Sequence, residues 1–185
     1  MKFTETSVQG AFILDVDRII DERGYFGRLW CAKELRDQGL NTRIEQINIG
    51  FSSKAGTLRG LHYQTEPHDE VKKIRCTRGA VFAVVLDIRL DSPTFREWHG
   101  VELSPHNASK LYVPEGCATG YLTLEDDSEI YYSTSKFYAP EAATGVRFDD
   151  PFFAIEWPGE VKVISDNDQS WPHFNEREVR QAEQQ

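Results

Sequence analysis

The stretch Ala80-Val81-Phe82-Ala83-Val84-Val85-Leu86-Asp87 decides the fold, because it is the most apolar run in the 185-residue chain. A short run of this kind, rich in valine, is typical of a deeply buried strand. Further strand-like segments lie on both sides of it. They cover residues 11–16, 43–49, 71–77, 98–103, 110–113, 118–124 and 129–134. Many short strands in succession favour an all-β sandwich or barrel.

Turn signals separate the predicted strands, and helical patterns are rare. Arg78-Gly79, Ser92-Pro93 and Pro114-Glu115-Gly116 mark three of the turns. A helix is predicted at residues 32–38, where Gly39 ends it, and a second short one near 175–183. The length suits one domain over residues 1–185. The expected fold is therefore all-β, a β-barrel or jelly roll with a few short helices.

The chain is acidic, with a formal net charge of −9 and a pI of about 5.1. This balance argues against nucleic acid as a partner, because nucleic-acid binding needs a basic surface. It still allows a small anionic ligand. Arginine and lysine side chains could supply a local group of cations for such a ligand, namely Arg23, Arg28, Arg59 and Lys72.

Cysteine usage and hydropathy indicate a cytoplasmic protein with no membrane contact. Cys31, Cys76 and Cys117 cannot all pair within one chain, and none forms a C-x-x-C motif. No apolar run approaches the roughly 20 residues that cross a bilayer. The start of the chain also lacks the apolar core of a secretory signal. Reduced thiols and a cytoplasmic location are therefore expected.

A second stretch, Gly56-Thr57-Leu58-Arg59-Gly60-Leu61-His62-Tyr63-Gln64, carries the most chemistry. It combines a cation, an imidazole, a phenol and an amide within one predicted strand. With strict alternation, His62 and Gln64 share one face, and Leu61 and Tyr63 take the other. A histidine and an amide that project together from a sheet indicate a site. Three roles are open to His62 in such a site: to bind a metal, to move a proton, or to stabilise the fold.

Ligand chemistry argues against the metal interpretation. Small β-barrels of the cupin type bind metal through an H-x-H motif and a later histidine in P-x-G-x-x-H. Here Gln64 takes the second position of the first motif, and Thr119 takes the histidine position of the second. An amide and a hydroxyl are poor ligands for zinc or iron. The sequence therefore predicts no metal and no other cofactor.

Acid–base chemistry needs a base, a group that orients it, an acid and a stabiliser of negative charge. His62 is a natural base near neutral pH, although a histidine in a strand is more often structural. Asp168 is a candidate to orient the imidazole. Two adjacent pairs supply the remaining groups, and alternation lets only one member of each face a cavity: Lys72 or Lys73, and Tyr131 or Tyr132.

The arrangement as a whole resembles the nucleotide-sugar 3,5-epimerase family from about residue 21 to residue 172. The resemblance rests on many ordered matches, where each alone would be weak. They are Asp21-Glu22-Arg23-Gly24-Tyr25-Phe26, Gln46, Asn48, Leu58 to Gln64, Lys72, Asp91-Ser92-Pro93-Thr94-Phe95, Val113-Pro114-Glu115-Gly116, Tyr132, Tyr138-Ala139-Pro140-Glu141 and Ser165-Asp166-Asn167-Asp168. The resemblance implies a cupin-type β-barrel that works without metal, usually as a homodimer.

The resemblance implies a nucleoside diphosphate 4-keto-6-deoxyhexose as substrate, whose keto group acidifies the protons at C3 and C5. His62 would remove such a proton while Asp168 holds and polarises the imidazole. Lys72 would stabilise the enolate oxygen. Tyr132 would return a proton from the opposite face, which inverts the carbon. The resemblance thus selects Lys72 and Tyr132 from their adjacent pairs.

The resemblance also assigns substrate-binding positions. They are Arg23, Phe26, Arg28, Gln46, Asn48, Arg59, Thr119, Tyr138 and Glu141. Three departures accompany them, since the family usually has histidine at Thr119, glutamate at Arg28 and glutamine at Glu70. The alternatives are inversion at C3 alone, a sugar 3,4-ketoisomerase, a non-catalytic nucleotide-sugar binder and a metal-dependent cupin dioxygenase.

Overall fold

The computed structural model describes residues 1–175. Within them the chain forms thirteen strands and two short helices. The strands are β1 (Lys2–Glu5), β2 (Phe12–Asp15), β3 (Arg18–Asp21), β4 (Gly24–Gly27), β5 (Gln46–Ser52), β6 (Leu58–Gln64), β7 (Lys72–Arg78), β8 (Val81–Asp87), β9 (Trp98–Leu103), β10 (Lys110–Val113), β11 (Cys117–Thr123), β12 (Ser128–Thr134) and β13 (Ala143–Gly145). The helices are α1 (Ala32–Asp37) and α2 (Asp166–Ser170).

Two large sheets contain most of the strands. One has six strands in the order β1-β2-β10-β7-β12-β5, and the other has five in the order β13-β6-β11-β8-β9. Neighbouring strands pair antiparallel throughout, and a separate hairpin pairs β3 with β4. The two large sheets share one core, because Ile74 and Leu111 of the first pack with Val81 and Ala83 of the second.

Strand β8 is buried on both faces, which explains its continuous apolar sequence. Val81, Ala83 and Val85 belong to the core between the sheets. Val84 and Leu86 point the other way, into a second cluster that includes aromatic side chains of the chain beyond β13. The prediction from residues 80–87 is therefore confirmed, since β8 pairs with β11 on one side and β9 on the other.

The predicted strands agree with the structure except at a few boundaries. The segment predicted at 43–49 begins at Gln46 and continues to Ser52, because its first residues are a loop before the pairing with β12. The prediction missed the four short strands β1, β3, β4 and β13 and the one-turn helix α2. The missed strands have three or four residues and carry little alternation, whereas the equally short β2 and β10 each contain three consecutive apolar residues.

The predicted helix at residues 32–38 is confirmed as α1, and Gly39 follows its end in the left-handed conformation with φ of +71°. Such a residue is common after a helix. The second helix is predicted near residues 175–183. Apart from residue 175, this segment lies outside the described residues.

A β-bulge interrupts strand β6 at the point where its chemistry lies. His62 is opposite Thr119, and Arg59 is opposite Tyr121. Two residues of β6 therefore lie between these pairs, against one residue of β11. The expectation of strict alternation is wrong here, because the extra residue turns both Arg59 and His62 toward the same cavity.

Gly60 makes the bulge feasible, and its replacement by alanine is expected to destabilise the fold strongly. Its φ is +124°, and a Cβ there would lie 2.5 Å from the Gly120 Cα. Backbone strain and overpacking together predict a loss of about 2 kcal/mol or more for Gly60→Ala. Urea unfolding measures this loss.

Gly159→Ala is the matched control, since a Cβ at Gly159 would meet nothing closer than Leu122 Cδ2 at 4.0 Å. Its effect is expected to stay within about 0.5 kcal/mol. If Gly60→Ala and Gly159→Ala are equally stable, the close approach of Gly60 on β6 to Gly120 on β11 is contradicted.

Candidate active site

A cavity of about 390 Å³ opens between the two sheets. Polar side chains from β6, β7, β11 and β12, and from α2 with its N-cap residue, line it. They are Arg59, His62, Lys72, Thr119, Tyr121, Tyr132, Ser165, Asn167 and Asp168. The cavity thus brings together all four predicted catalytic residues and two of the predicted substrate-binding residues.

The closest polar pair in the cavity joins His62 to Asp168. The His62 Nε2 lies 2.6 Å from the Asp168 Oδ1. Helix α2 holds the carboxylate in place, because the Ser165 Oγ caps the helix by accepting a hydrogen bond from the Asp168 N–H at 3.1 Å. The Gly60 N–H donates to the other carboxylate oxygen at 3.4 Å.

The buried Asp168 carboxyl remains ionised at neutral pH. Burial alone would raise its pKa, but hydrogen bonding and attraction to His62, with the Gly60 N–H, outweigh burial and lower the pKa. An ionised Asp168 accepts the proton of His62 Nε2, which leaves the lone pair on Nδ1. His62 is half-exposed, so this nitrogen is the basic atom available to a ligand in the cavity.

Lys72 faces the cavity, and Lys73 lies on the opposite face of β7. The Lys72 Nζ pairs with the Glu70 Oε1 at 3.2 Å. The Lys73 Nζ instead donates to the Arg43 carbonyl at 3.2 Å, and burial lowers its pKa to about 8. Of the two adjacent lysines, Lys72 is therefore the one that faces the cavity, in agreement with the choice that the family resemblance makes.

Tyr132 projects into the cavity from β12, in the sheet opposite His62. Burial is the main cause of its raised pKa, and Glu70 raises the pKa further while Arg59 lowers it. A phenol with a raised pKa stays protonated and can act as a donor. Tyr131 is not among the residues that line this cavity.

Arg59 and Thr119, which both line the cavity, donate hydrogen bonds to other groups of the protein. The Arg59 Nε donates to the Ser52 Oγ at 3.2 Å, and its Nη2 donates to the Phe51 carbonyl at 3.0 Å. These bonds leave Nη1 for a ligand. The buried Thr119 hydroxyl donates to the Val84 carbonyl at 2.7 Å, so its proton is already used within the fold.

Gln64, at the second position of the H-x-H-like motif, ties loops together. Its Nε2 donates to the His68 carbonyl at 2.9 Å, and its Oε1 accepts from the Ala139 N–H at 2.7 Å. Across residues 1–175, no group of three or more His, Cys, Asp or Glu side chains is arranged to hold a metal ion.

The chain matches the sequence model of the dTDP-4-dehydrorhamnose 3,5-epimerase family over residues 5–176. This chain belongs to that family. The dTDP-4-dehydrorhamnose 3,5-epimerase of Methanothermobacter thermautotrophicus is 38% identical to it over 181 residues, which cover 96% of this chain and 97% of that protein.

Solved structures of the epimerase family agree with the fold. The enzyme from Elizabethkingia anophelis NUHP1 has a TM-score of 0.91 and 36% identity, covering 94% of this chain and 96% of that one. The Legionella pneumophila Philadelphia 1 epimerase, solved in complex with dTDP-4-keto-L-rhamnose, has a TM-score of 0.85 and 35% identity. The match covers 92% of this chain and 90% of that one. The predicted family, the cupin-type all-β fold and the carbohydrate-epimerase class are confirmed.

Three of the family positions predicted to bind substrate lie away from the cavity. Arg23 belongs to the turn of the β3–β4 hairpin, where its guanidinium is 83% exposed and pairs with Asp21 at 2.5 Å. Phe26 is 72% exposed on β4. Arg28 pairs with Glu34 at 2.9 Å. Within one copy of this epimerase-family chain, these residues do not join His62.

The other predicted positions lie beside the cavity or in a second one. Asn48 pairs with Tyr132 in register on β5, and the Gln46 Oε1 accepts from the Tyr138 N–H at 2.5 Å. Tyr138 and Glu141 line a separate cavity of about 500 Å³. Neither of the two lines the cavity that contains His62.

Sequence reasoning missed Tyr121 and Asn167 as cavity residues of this epimerase-family chain. Tyr121 lies two positions after Thr119 on β11, so the period of a strand could have placed it on the same face. Asn167 neighbours Asp168 in the one-turn helix, and no periodic signal distinguishes it. The sequence marks Glu70 only as a departure from the family pattern, and it contains no signal for the ion pair with Lys72.

Proposed function

We propose that the protein is an epimerase that inverts C3 and C5 of a dTDP-linked 4-keto-6-deoxyhexose. The observation that carries this proposal is the 2.6 Å contact between His62 and Asp168, in a cavity that also contains Lys72 and Tyr132. The similar Legionella enzyme, solved with dTDP-4-keto-L-rhamnose, supports the choice of sugar.

The proposed reaction begins with proton abstraction next to the C4 carbonyl. His62 Nδ1 takes the proton from C3 or C5, and the electron pair of the C–H bond moves onto the C4 oxygen as an enolate. The Lys72 ammonium stabilises this oxygen as charge develops on it. Asp168 stabilises the imidazolium that forms.

The reaction ends with proton return from the other face. The Tyr132 phenol gives its proton to the carbon, and the electron pair of the enolate forms the new C–H bond. The carbon is thereby inverted, His62 holds a proton and Tyr132 is a phenolate. Exchange with solvent restores both groups, so no cofactor is consumed.

Arg59 is the proposed anchor of the diphosphate. Its guanidinium reaches the cavity while two hydrogen bonds to Phe51 and Ser52 of β5 fix its direction. A guanidinium recognises phosphate oxygens through parallel hydrogen bonds. A local cation of this kind lets a protein with a net charge of −9 bind an anionic nucleotide.

Incubation with a dTDP-linked 4-keto-6-deoxyhexose in deuterated water, followed by NMR, tests the proposal. Exchange with inversion at both carbons supports it, and exchange at C3 alone identifies a 3-epimerase. A product with its carbonyl at C3 identifies a 3,4-ketoisomerase. Binding without exchange or turnover identifies a nucleotide-sugar binder.

Asp168→Asn is expected to lower the epimerisation rate by about 10²-fold or more, because the amide cannot stabilise the imidazolium. The fold should persist, since the amide keeps the size of the carboxylate. Steady-state rates and thermal unfolding measure the two effects. Asp166→Asn, on the same helix, is the control; a parental rate in Asp168→Asn would remove this residue from the mechanism.

We propose that two copies of the chain form a homodimer that completes the nucleotide site. The hairpin carries Arg23 and Phe26, which one copy does not bring to its own cavity. Strand β5, whose only strand partner within residues 1–175 is β12, presents a second apolar surface. The exposed apolar side chains are Ile19, Ile20, Tyr25 and Phe26 on the hairpin, and Ile47, Ile49 and Phe51 on β5.

A charged residue on β5 is expected to separate the dimer. Ile47 is 53% exposed, and Ile47→Glu would bury a carboxylate at the proposed interface, which is costly without a partner. Sedimentation velocity should report a dimer for the parent and a monomer for this variant. Val163→Glu is the control on the five-stranded side; a monomeric parent would contradict the proposal.

We further propose one domain over residues 1–185, a cytoplasmic location, and no nucleic acid or membrane as partner. The family match over residues 5–176 and the core shared by both sheets support the single domain. The free cysteines Cys31, Cys76 and Cys117 suit a reducing compartment. In residues 1–175, no helix has the length and apolar character needed to cross a bilayer.

A further inference from the structure

Glu70 forms a shielded ion pair beside the proposed proton-transfer groups. Its Oε1 lies 3.2 Å from the Lys72 Nζ, and the two side chains are only 7% and 14% exposed. Water and salt screen such a pair weakly. The carboxylate therefore restrains the ammonium group at the wall of the cavity.

The same carboxylate acts on Tyr132 of the neighbouring strand, because β12 pairs with β7 so that Thr134 lies opposite Lys72 and Tyr132 lies opposite Ile74. After burial, the negative charge of Glu70 is the largest cause of the raised Tyr132 pKa, and Arg59 opposes it. The pKa of Glu70 itself is raised, because burial raises it more than the charge and hydrogen bond of Lys72 lower it. The other titratable groups that line the cavity with Tyr132 are His62, Tyr121 and Asp168.

We propose that Glu70 is a positioning residue, whose carboxylate fixes the Lys72 ammonium and keeps the Tyr132 phenol protonated. This inference rests on the proposed function, from which Lys72 and Tyr132 take their roles. A fixed ammonium is already in place when the enolate oxygen develops its charge. A protonated phenol preserves the acid that completes inversion, up to a higher pH than an isolated cavity tyrosine would allow.

A spectroscopic titration tests the effect on Tyr132 without any turnover. The tyrosinate absorbance of the parent, minus that of Tyr132→Phe, reports the Tyr132 pKa. The same subtraction is made in a Glu70→Gln background, which removes the charge and keeps the shape. Tyr132 is expected to titrate about one pH unit lower there, the size of effect that a nearby charge produces. Glu70→Asp, which keeps the charge, should restore most of the difference.

The pH profile of epimerisation tests the consequence for the reaction. In Glu70→Gln, the alkaline limb of the kcat profile should move to lower pH by the same amount. At a fixed pH on that limb, a shift of one pH unit lowers kcat about ten-fold. The control is Asp69→Asn, whose carboxylate pairs with Lys136 at 2.9 Å outside this cavity. Its profile should match that of the parent.

Two results would overturn the inference. One is an unchanged Tyr132 titration in the Glu70→Gln background. The other is a loss of stability in Glu70→Gln with a parental pH profile, which would mean a purely structural role. A parent that neither exchanges nor epimerises would contradict the proposed function instead, and the titration would still decide whether Glu70 controls Tyr132.

Discussion

His62→Ala is expected to abolish epimerisation and solvent exchange at both C3 and C5. The His62 imidazole lies in the cavity and pairs with the buried, ionised carboxylate of Asp168. General-base catalysis contributes about 10²- to 10⁴-fold, and a methyl group cannot accept a proton. The rate of deuterium uptake, followed by NMR, measures the loss.

The affinity of His62→Ala for dTDP should stay within a few-fold of the parent, because the proposed anchor of the diphosphate is Arg59. Calorimetry with dTDP measures this affinity. His106→Ala, in the exposed turn after β9, is the control and should keep the parental rate. Parental exchange in His62→Ala would remove this residue from the mechanism.

Tyr132→Phe is expected to separate exchange from inversion. His62 remains able to remove a proton and to return a solvent-derived one to the same face. The opposite face then lacks its proton donor, so deuterium should enter while the epimerised product falls by about 10²-fold or more. NMR distinguishes the two outcomes, because it reports both the isotope and the configuration at each carbon.

Tyr131→Phe is the matched control for this experiment. Tyr131 is the adjacent residue on β12 and does not line the cavity. Both its exchange and its inversion should therefore equal those of the parent. If Tyr132→Phe inverts C3 and C5 at the parental rate, another group donates the proton, and the acid assigned here is wrong.

The sheet strands were predictable because burial leaves a simple pattern in the sequence. Strand β8 is apolar at every position from Val81 to Leu86, and the structure buries both of its faces. In strand β5, buried or partly buried residues alternate with exposed ones, with a period of two residues. The β3–β4 hairpin follows no such rule, because it lies outside the two large sheets and exposes apolar residues such as Ile20.

Strand alternation predicted the site only in part. Alternation on β7 and β12 admitted one lysine and one tyrosine to a cavity, and the structure agrees with Lys72 and Tyr132. Spacing could not link His62 to Asp168, since 106 positions separate them and α2 brings them together. That pair came from the family resemblance.

Other features of the site depend on tertiary contacts that no local pattern encodes. The bulge at Gly60 turns Arg59 and His62 toward one cavity, against the expectation of strict alternation. Glu70 precedes β7, where no strand period applies, and its pairing with Lys72 emerges only from the folded chain. Its electrostatic effect on Tyr132 therefore could not be inferred from the sequence.

Deuterium uptake from solvent is the most direct test of the central claim, that His62 removes a proton beside a keto group and Tyr132 replaces it from the other face. The parent protein is incubated with a dTDP-linked 4-keto-6-deoxyhexose in deuterated water, and C3 and C5 are followed by NMR. We predict deuterium at both carbons, with inverted configuration. Absence of exchange at both carbons, across several nucleotide-linked keto sugars that bind, would contradict the account.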